Sequence, residues 1–241
     1  MKLIEQFTRL NQIAILIDPE KCQTHERMDQ LIEKIHFSKV DYVFVGGSTV
    51  TREEFEFTTK YLKSKLSIPI VIFPGSSNQV SKEADAILLL NLISGRNPDF
   101  LIGHHIQAAQ SIIDSNLEVI STSYLLIDGG NHSSVAYVSQ TTPIPNNQYN
   151  IAYNTALAGK LIGHQVVFMD AGSGAKSPIK PQMIRRIKEL SIPVIIGGGI
   201  RSISELQEAH KAGANIVVIG NKIEEDINFL LDIHSYIGNK H

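Results

Sequence analysis

The chain has 241 residues, of which 43% are hydrophobic, and its formal net charge of −2 provides no basic surface for nucleic acid. Its single cysteine, Cys22, excludes an intramolecular disulfide bond. No signal peptide is evident at the N-terminus, and no apolar run is long enough for a membrane helix, so we expect a cytoplasmic protein without a transmembrane segment.

Short, β-branched apolar runs recur along the chain at fairly even spacing. Most of them are apolar on both faces, which is typical of parallel strands that are covered on both sides. The eight runs are IAILI (13–17), YVFV (42–45), PIVIF (69–73), AILLL (86–90), EVIST (118–122), QVVFM (165–169), PVIIG (193–197) and IVVIG (216–220).

Helical patterns lie between these runs. Two capping boxes mark helix starts, Thr51 with Glu54 and Ser202 with Glu205. Eight alternations of strand and helix in this length predict an α/β protein, a (β/α)8 TIM barrel that forms a single domain over residues 1–241. A doubly wound open sheet is the alternative, because alternation alone does not show closure. Apolar residues recur at helical spacing over 28–35, 183–190 and 223–234.

One connection is unusually long and polar. Residues 128–150 are rich in Gly, Asn, Ser, Thr and Pro, which predicts a long loop after the fifth strand. Long loops at this end of a barrel strand are usually functional, and a tolerated surface insertion is the alternative.

Glycine-rich turns are predicted after strands six, seven and eight. Such turns let the backbone approach a phosphate, and a following helix N-terminus adds partial positive charge. Phosphate-binding barrels place their phosphate site after strands seven and eight, so we expect one here. Arg201 follows the seventh strand either as a phosphate ligand or as an exposed residue of the next helix. The turns contain 170–174, Gly198-Gly199 and Gly220-Asn221.

Asp18 and Ser48 follow the first two strands and form a candidate Mg²⁺ site. A carboxylate and a hydroxyl suit an ion that keeps several waters and completes its coordination with substrate phosphate oxygens. The alternatives are a turn residue for Asp18 and a helix N-cap for Ser48. The nine histidines form no ligand motif, so a zinc site is not expected.

Several stretches together resemble the geranylgeranylglyceryl phosphate synthase family. The chain is more similar to the group with the archaeal and Bacteroidetes enzymes than to the bacterial heptaprenylglyceryl phosphate synthases. The stretches follow the family's order over nearly the whole chain: LIDPEK (16–21), VGGST (45–49), FPGSSNQVSKEADAILLLNLISGRNP (73–98), SYLLIDGG (123–130), YVSQTTPIP (137–145), NTALAGKLIG (154–163), DAGSGAKSPI (170–179), IGGGIRS (196–202) and GANIVVIGN (213–221).

The resemblance implies a (β/α)8 barrel that transfers a long prenyl chain, geranylgeranyl in our interpretation, from its diphosphate to sn-glycerol 1-phosphate. It also implies dependence on Mg²⁺, bound by Asp18 and Ser48. We further expect a homo-oligomer that contacts membranes transiently to deliver its lipid product. The glycerol phosphate residues that it implies are Phe168, Met169, Asp170, Ala171, Gly172, Ser173, Gly174, Gly198, Gly199, Gly220 and Asn221.

Two departures from the family pattern bear on the chemistry. Family members commonly have YLEAGSG where this chain has FMDAGSG, so Phe168 lacks a hydroxyl and Asp170 is one methylene shorter than glutamate. The bacterial branch carries a lysine two positions before the metal aspartate, where this chain has Leu16. Lys21 is a candidate for supplying a positive charge instead.

Asp170 is the expected catalytic residue. It would orient the attacking hydroxyl of glycerol phosphate and either take its proton or stabilise the allylic cation. A turn-stabilising aspartate is the alternative. The prenyl tail needs an apolar groove, which we expect on strands two to four and their helices. Two rival functions are a sugar-phosphate isomerase or lyase on the same barrel and a non-catalytic phosphate-binding relative.

Overall fold

Eight parallel strands form a closed barrel in a computed structural model of the chain, which describes residues 2–22 and 24–238. Each strand pairs with the next, and β1 pairs with β8. The predicted (β/α)8 barrel is confirmed, and the open sheet is wrong. The strands are β1 (Gln12–Ile17), β2 (Tyr42–Val45), β3 (Ile70–Ile72), β4 (Ala86–Asn91), β5 (Glu118–Leu126), β6 (Val166–Asp170), β7 (Val194–Gly197) and β8 (Ile216–Ile219).

Helices cover the outside of the barrel. The capping boxes that Thr51 and Ser202 form with Glu54 and Glu205 are both present and begin α3 and α8. The helices are α1 (Leu3–Gln6), α2 (His25–Ser38), α3 (Arg52–Lys65), α4 (His104–Ser115), α5 (Ser134–Ser139), α6 (Tyr149–Leu161), α7 (Pro181–Lys188), α8 (Ile203–Lys211), α9 (Asn221–Glu225) and α10 (Phe229–Gly238).

The apolar pattern over 223–234 belongs to two helices rather than one. Helix α9 ends at Glu225 and α10 begins at Phe229. The side chain of Asp226 accepts a hydrogen bond from the backbone N–H of Asn228 (3.0 Å) between them. This local bond competes with continuation of the helix, which helical spacing alone does not reveal.

Two hydrophobic layers meet at the barrel wall. The interior layer contains alternate residues of each strand, such as Phe44, Leu88 and Phe168, and the outer layer lies between the strands and the helices. Both layers are buried because successive strand residues point to opposite faces. This alternation explains why the strands are apolar almost throughout.

The N-terminal segment closes the lower end of the barrel. Leu3 and Phe7 pack into the interior layer, where the Phe7 ring lies edge-on to Tyr42 with centroids 5.1 Å apart. The backbone N–H groups of Leu3 and Ile4 donate to the Glu118 carboxylate at 2.7 and 2.9 Å. Because these N–H groups begin α1, Glu118 satisfies donors that a helix start leaves without intrahelical partners.

The predicted loop over 128–150 contains regular structure. It includes α5, which Ser133 caps through a hydrogen bond to the N–H of Ala136, and α6 already begins at Tyr149. A short parallel bridge joins Ile127 to Ile144 and anchors the segment to the barrel. The prediction of a long loop over 128–150 is therefore wrong in part.

None of the helices that the structure describes is both long enough and apolar enough to cross a membrane.

Candidate active site

A cavity of about 310 Å³ opens at the carboxyl ends of the strands. The catalytic sites of (β/α)8 barrels lie at this end. One part of the cavity is polar and lies beneath the glycine-rich turns of β6, β7 and β8, and another part is apolar. Strand ends distant in sequence are brought together here by closure of the barrel.

Asp170 ends β6 and faces the cavity. Its Oδ1 accepts a hydrogen bond from the backbone N–H of Gly172 (2.7 Å), and its Oδ2 accepts one from the hydroxyl of Tyr124 (2.6 Å). Burial raises the pKa of the Asp170 carboxyl above its ordinary value, while these two hydrogen bonds lower it. The turn contact expected of a structural aspartate is thus present, yet the carboxylate also lines the cavity.

Tyr124 is a site residue that the sequence analysis missed. It lies on β5 directly beside Phe168 of β6 and is almost fully buried. Burial, with a smaller contribution from Asp170, raises the pKa of Tyr124 well above its ordinary value, so the phenol stays protonated and donates a hydrogen bond to the carboxylate. The chain therefore places a hydroxyl beside the position where Phe168 lacks one.

Phe168 points into the barrel beneath the cavity. Its ring stacks on Phe73 with centroids 4.9 Å apart and lies 5.7 Å from the Tyr124 ring. Aromatic contacts of this kind add to the free energy of burying the rings. The packed rings of Phe73, Tyr124 and Phe168 lie at the base of the cavity, and Phe168 lies two residues before Asp170 on the same strand.

The three glycine-rich turns converge around Asp170. Gly198 and Gly199 have φ values of 79° and 74°, which favour glycine, and both line the cavity. A β-carbon on Gly198 would lie 2.8 Å from Asp170 Oδ1 and 2.8 Å from the backbone nitrogen of Gly172. The backbone approaches the carboxylate this closely only because residue 198 has no side chain.

Asn221 joins the turn after β8 to the turn after β6. Its Oδ1 accepts a hydrogen bond from the N–H of Gly174 (2.8 Å). Other predicted residues that line the cavity are Gly172, Ser173 and Gly220. Met169 and Ala171 instead belong to the outer hydrophobic layer, and neither they nor Gly174 line the cavity.

Arg201 is exposed at the rim of the cavity, and its guanidinium forms an ion pair with Glu225 (3.3 Å). Its backbone N–H donates to the carboxylate of Glu205, the glutamate of the α8 capping box. The geometry therefore favours the alternative in which Arg201 is an exposed residue next to a helix start.

Asp18 and Ser48 line the same cavity on the side of β1 and β2. Asp18 Oδ1 accepts a hydrogen bond from the N–H of Glu20 (3.2 Å), as a turn residue does, and burial raises the pKa of its carboxyl. A β-carbon on Gly47 would lie 2.7 Å from Asp18 Oδ1, so the carboxylate lies against the backbone next to Ser48. Thr51, not Ser48, caps α3, so the N-cap interpretation of Ser48 is wrong.

This pair fits Mg²⁺ by its chemistry. A carboxylate and an exposed hydroxyl face the cavity, and Mg²⁺ needs only one or two protein oxygens when substrate phosphates complete its coordination. In the described part of the chain, no three His, Cys, Asp or Glu side chains are grouped to hold a metal ion.

The apolar part of the cavity follows β3, β4 and β5. The predicted groove on strands two to four is partly correct: next to β2 the wall is formed by residues that follow the strand, such as Gly46 and Gly47, while α4 and α5 form much of the wall. Helix α5 lies in the 128–150 segment, so this segment lines the cavity instead of being a peripheral insertion. The wall includes Leu92, Phe100, Ala108, Ile112, Val135 and Val138.

The profile of the PcrB family matches residues 5–235. The chain belongs to the PcrB family. A relative from Zunongwangia profunda named geranylgeranylglyceryl phosphate synthase is 48% identical over 213 residues, which cover 88% of this chain and 90% of the relative. The resemblance found in the sequence motifs is thereby confirmed.

Solved structures agree with this PcrB membership. The crystal structure of (S)-3-O-geranylgeranylglyceryl phosphate synthase from Thermoplasma acidophilum, in complex with its substrate sn-glycerol-1-phosphate, is 30% identical with a TM-score of 0.88. The alignment covers 97% of this chain and 96% of that chain. A tryptophan synthase α-subunit from Pyrococcus furiosus is 13% identical over 94% of this chain and 97% of its own, with a TM-score of 0.58, and shows only a shared fold.

Proposed function

We propose that this PcrB-family enzyme joins a prenyl chain to sn-glycerol 1-phosphate. The donor is a long-chain prenyl diphosphate, geranylgeranyl diphosphate in our proposal. The products are 3-O-(geranylgeranyl)-sn-glyceryl 1-phosphate and diphosphate. The observation that carries the proposal is the 48% identity, over 88% of the chain, to a geranylgeranylglyceryl phosphate synthase.

The division of the cavity supports this reaction. The glycine turns around Asp170 suit the phosphate of a small acceptor, because backbone N–H groups and small residues permit close approach. The apolar wall between α4 and α5 suits a hydrocarbon chain. Few small metabolites need both environments, whereas prenyl transfer to a glycerol phosphate needs them side by side.

In the proposed chemistry, the acceptor is held with one hydroxyl next to Asp170. The allylic C–O bond to diphosphate breaks, and the acceptor hydroxyl oxygen forms the ether bond to the same carbon. The carboxylate of Asp170 orients this hydroxyl and takes its proton, while Tyr124 keeps the carboxylate in place through its 2.6 Å hydrogen bond. The glycine turns hold the acceptor's phosphate, which keeps its hydroxyl close to the allylic carbon.

Asp18 and Ser48 are the residues that would hold Mg²⁺ in this proposal. When bound, the ion supplies positive charge against the charge that develops on the diphosphate. The apolar surface of Phe73 and Phe168 nearby excludes water from the allylic centre.

The proposal is tested by a matched assay with the two enantiomers of glycerol phosphate. With geranylgeranyl diphosphate and Mg²⁺, we expect extractable ether lipid from sn-glycerol 1-phosphate and at least about tenfold less from the 3-phosphate, because a fixed acceptor presents only one hydroxyl correctly. Asp18→Ala is expected to lose this activity, since it removes the carboxylate of the proposed metal pair.

Asp232→Ala is the control for that assay, because Asp232 lies exposed on α10 away from the cavity. It should retain full activity. Absence of product from both enantiomers, with glycerol phosphate still bound, would instead favour the non-catalytic relative.

A second prediction concerns the pH dependence of the reaction. The Tyr124 hydrogen bond lowers the pKa of Asp170, so Tyr124→Phe should raise that pKa and move the acidic limb of kcat/KM to higher pH. The rate on the plateau should fall about tenfold, as expected for loss of a hydrogen bond to a charged group.

Tyr42→Phe provides the matched control for Tyr124. Tyr42 is also a buried tyrosine inside the barrel, but it lies at the lower end, where its hydroxyl contacts Gln12 (2.6 Å). Its pH profile should match that of the unmodified protein. An unchanged acidic limb in Tyr124→Phe would contradict the assigned role of Tyr124.

The oligomeric state and the cellular location of the protein are also part of the proposal. We retain a homo-oligomer, because α4 and the turn before it expose Ile102, Ile106 and Ile113 to solvent. A cytoplasmic location with transient membrane contact follows from the water-soluble acceptor and the lipid product of the proposed reaction.

A further inference from the structure

Lys21 lies at the rim of the cavity beside the Asp18 carboxylate. Its ammonium is 2.6 Å from Oε2 of Glu224 and 4.0 Å from Oδ2 of Asp18. All three residues line the cavity, and the lysine side chain is 42% exposed. The segment after the first strand thus contributes a partly exposed positive charge next to the proposed metal pair.

Carboxylates outnumber basic side chains at this end of the cavity, so an anionic ligand is favoured here only where a cation faces it. Asp18, Glu20 and Glu224 all line it. Among the cavity-lining residues that the structure describes, the lysines and arginines are Lys21, Arg201 and Lys222. Arg201 pairs with Glu225, and Lys222 lies 3.4 Å from Asp226 with its ammonium over the Phe229 ring.

The contact between Lys21 and Glu224 is of a kind that exchanges readily. A partly exposed ion pair contributes only about 0–1 kcal/mol, because water and salt screen it. A diphosphate presents several charged oxygens and would attract the ammonium more strongly. The free energy lost when Lys21 leaves Glu224 is therefore small compared with what its contact to such a ligand would supply.

Glu224 keeps a partner when the lysine leaves. Its Oε2 also accepts a hydrogen bond from Nδ2 of Asn221 (3.0 Å), and Asn221 is itself bonded to Gly174. The carboxylate would therefore not be left without a hydrogen bond, which keeps the exchange inexpensive.

We propose that Lys21 binds the diphosphate of the prenyl donor, and that Glu224 holds the lysine at the rim until the donor arrives. The inference rests on the proposed function, because it assigns the donor's charged group to this side of the cavity. As the allylic C–O bond breaks, the ammonium stabilises the charge on the leaving diphosphate. Lys21 thus places a positive charge beside Asp18, where the leaving diphosphate would lie.

The test is calorimetric binding of inorganic pyrophosphate to the full chain, with Mg²⁺ and again with EDTA. Lys21→Met should weaken pyrophosphate binding by about 10- to 100-fold, as loss of a charge-assisted hydrogen bond implies. Glu224→Gln should strengthen it by up to about fivefold, because a competing anion is removed. Binding of sn-glycerol 1-phosphate to Lys21→Met should stay within about twofold of the unmodified protein.

Lys222→Met is the matched control, since it removes the same charge from a lysine that lines the cavity but pairs elsewhere. It should change pyrophosphate affinity by less than about twofold. The inference is overturned if Lys21→Met binds pyrophosphate as the unmodified protein does, if both lysine variants weaken binding equally, or if Glu224→Gln weakens it. Failure of the unmodified protein to bind pyrophosphate at all would overturn this inference, while the ether-lipid assay tests the proposed function separately.

Discussion

Replacing Asp170 with asparagine is expected to reduce prenyl transfer by roughly 10²- to 10⁴-fold, the usual contribution of a general base. The amide keeps the size of the side chain and can still accept the Gly172 hydrogen bond, but it cannot take a proton. The measurement is kcat with saturating glycerol phosphate. Acceptor affinity should change much less than kcat, because the glycine turns remain in place.

The same variant should be more stable than the unmodified protein at neutral pH. Burial raises the pKa of Asp170 in the folded state above its unfolded value, so ionisation of this carboxyl opposes folding. The cost is present above the folded pKa and disappears as the pH falls below the unfolded pKa. The stability advantage of Asp170→Asn should therefore shrink in acid, which thermal unfolding at several pH values would show.

Asp128→Asn separates this role from that of a turn residue. Asp128 Oδ1 accepts a hydrogen bond from the N–H two residues ahead, Gly130 (2.8 Å), just as Asp170 does from Gly172, but Asp128 is exposed. The control should keep its activity and show no stability gain at neutral pH. Equal effects of the two substitutions would mean that Asp170 acts only in its turn.

Gly198→Ala should weaken binding at the acceptor site and also destabilise the fold. The new methyl group would lie 2.8 Å from both Asp170 Oδ1 and the Gly172 nitrogen, at a φ of 79°. We expect a loss of about 2–3 kcal/mol in the free energy of unfolding from backbone strain and crowding. Calorimetry should show at least about tenfold weaker binding of glycerol phosphate, because the turn must move away from Asp170.

Gly163→Ala is the control for backbone strain alone. Gly163 also has a positive φ, 99°, but no atom lies within 4 Å of the position that its β-carbon would take. It should cost about 1 kcal/mol in the free energy of unfolding and leave binding unchanged. If Gly163→Ala weakened glycerol phosphate binding as much as Gly198→Ala, the close approach to Asp170 would not be the cause.

The barrel was predictable because most strand residues are buried on both faces of the sheet. Short, β-branched apolar runs such as YVFV (42–45) are typical of strands in a parallel sheet, and the observed β2 covers these same residues. The length of β5 was not predictable in the same way. Its last four residues, SYLL, begin with a serine that follows Thr122, and this polar pair led to a predicted end at Thr122, although the strand continues to Leu126.

That shortfall concealed Tyr124, which sequence alone did not place inside the barrel. Recognising it requires the inward alternation of β5 and its register against Phe168. The contact between Lys21 and Glu224 was hidden for another reason. These residues are separated by 203 positions and meet only because closure brings β1 beside β8. Local patterns carry no information on such a contact.

Closure of the lower end by α1 leaves the upper rim of the barrel as the route by which substrates enter and products leave. With Leu3 and Phe7 filling the base, both substrates and both products cross the same upper rim. The ether lipid carries the acceptor's phosphate and the donor's chain, so it resembles a bisubstrate inhibitor of its own synthesis. Removal of the lipid by a downstream enzyme or a bilayer would then govern how fast the next cycle begins.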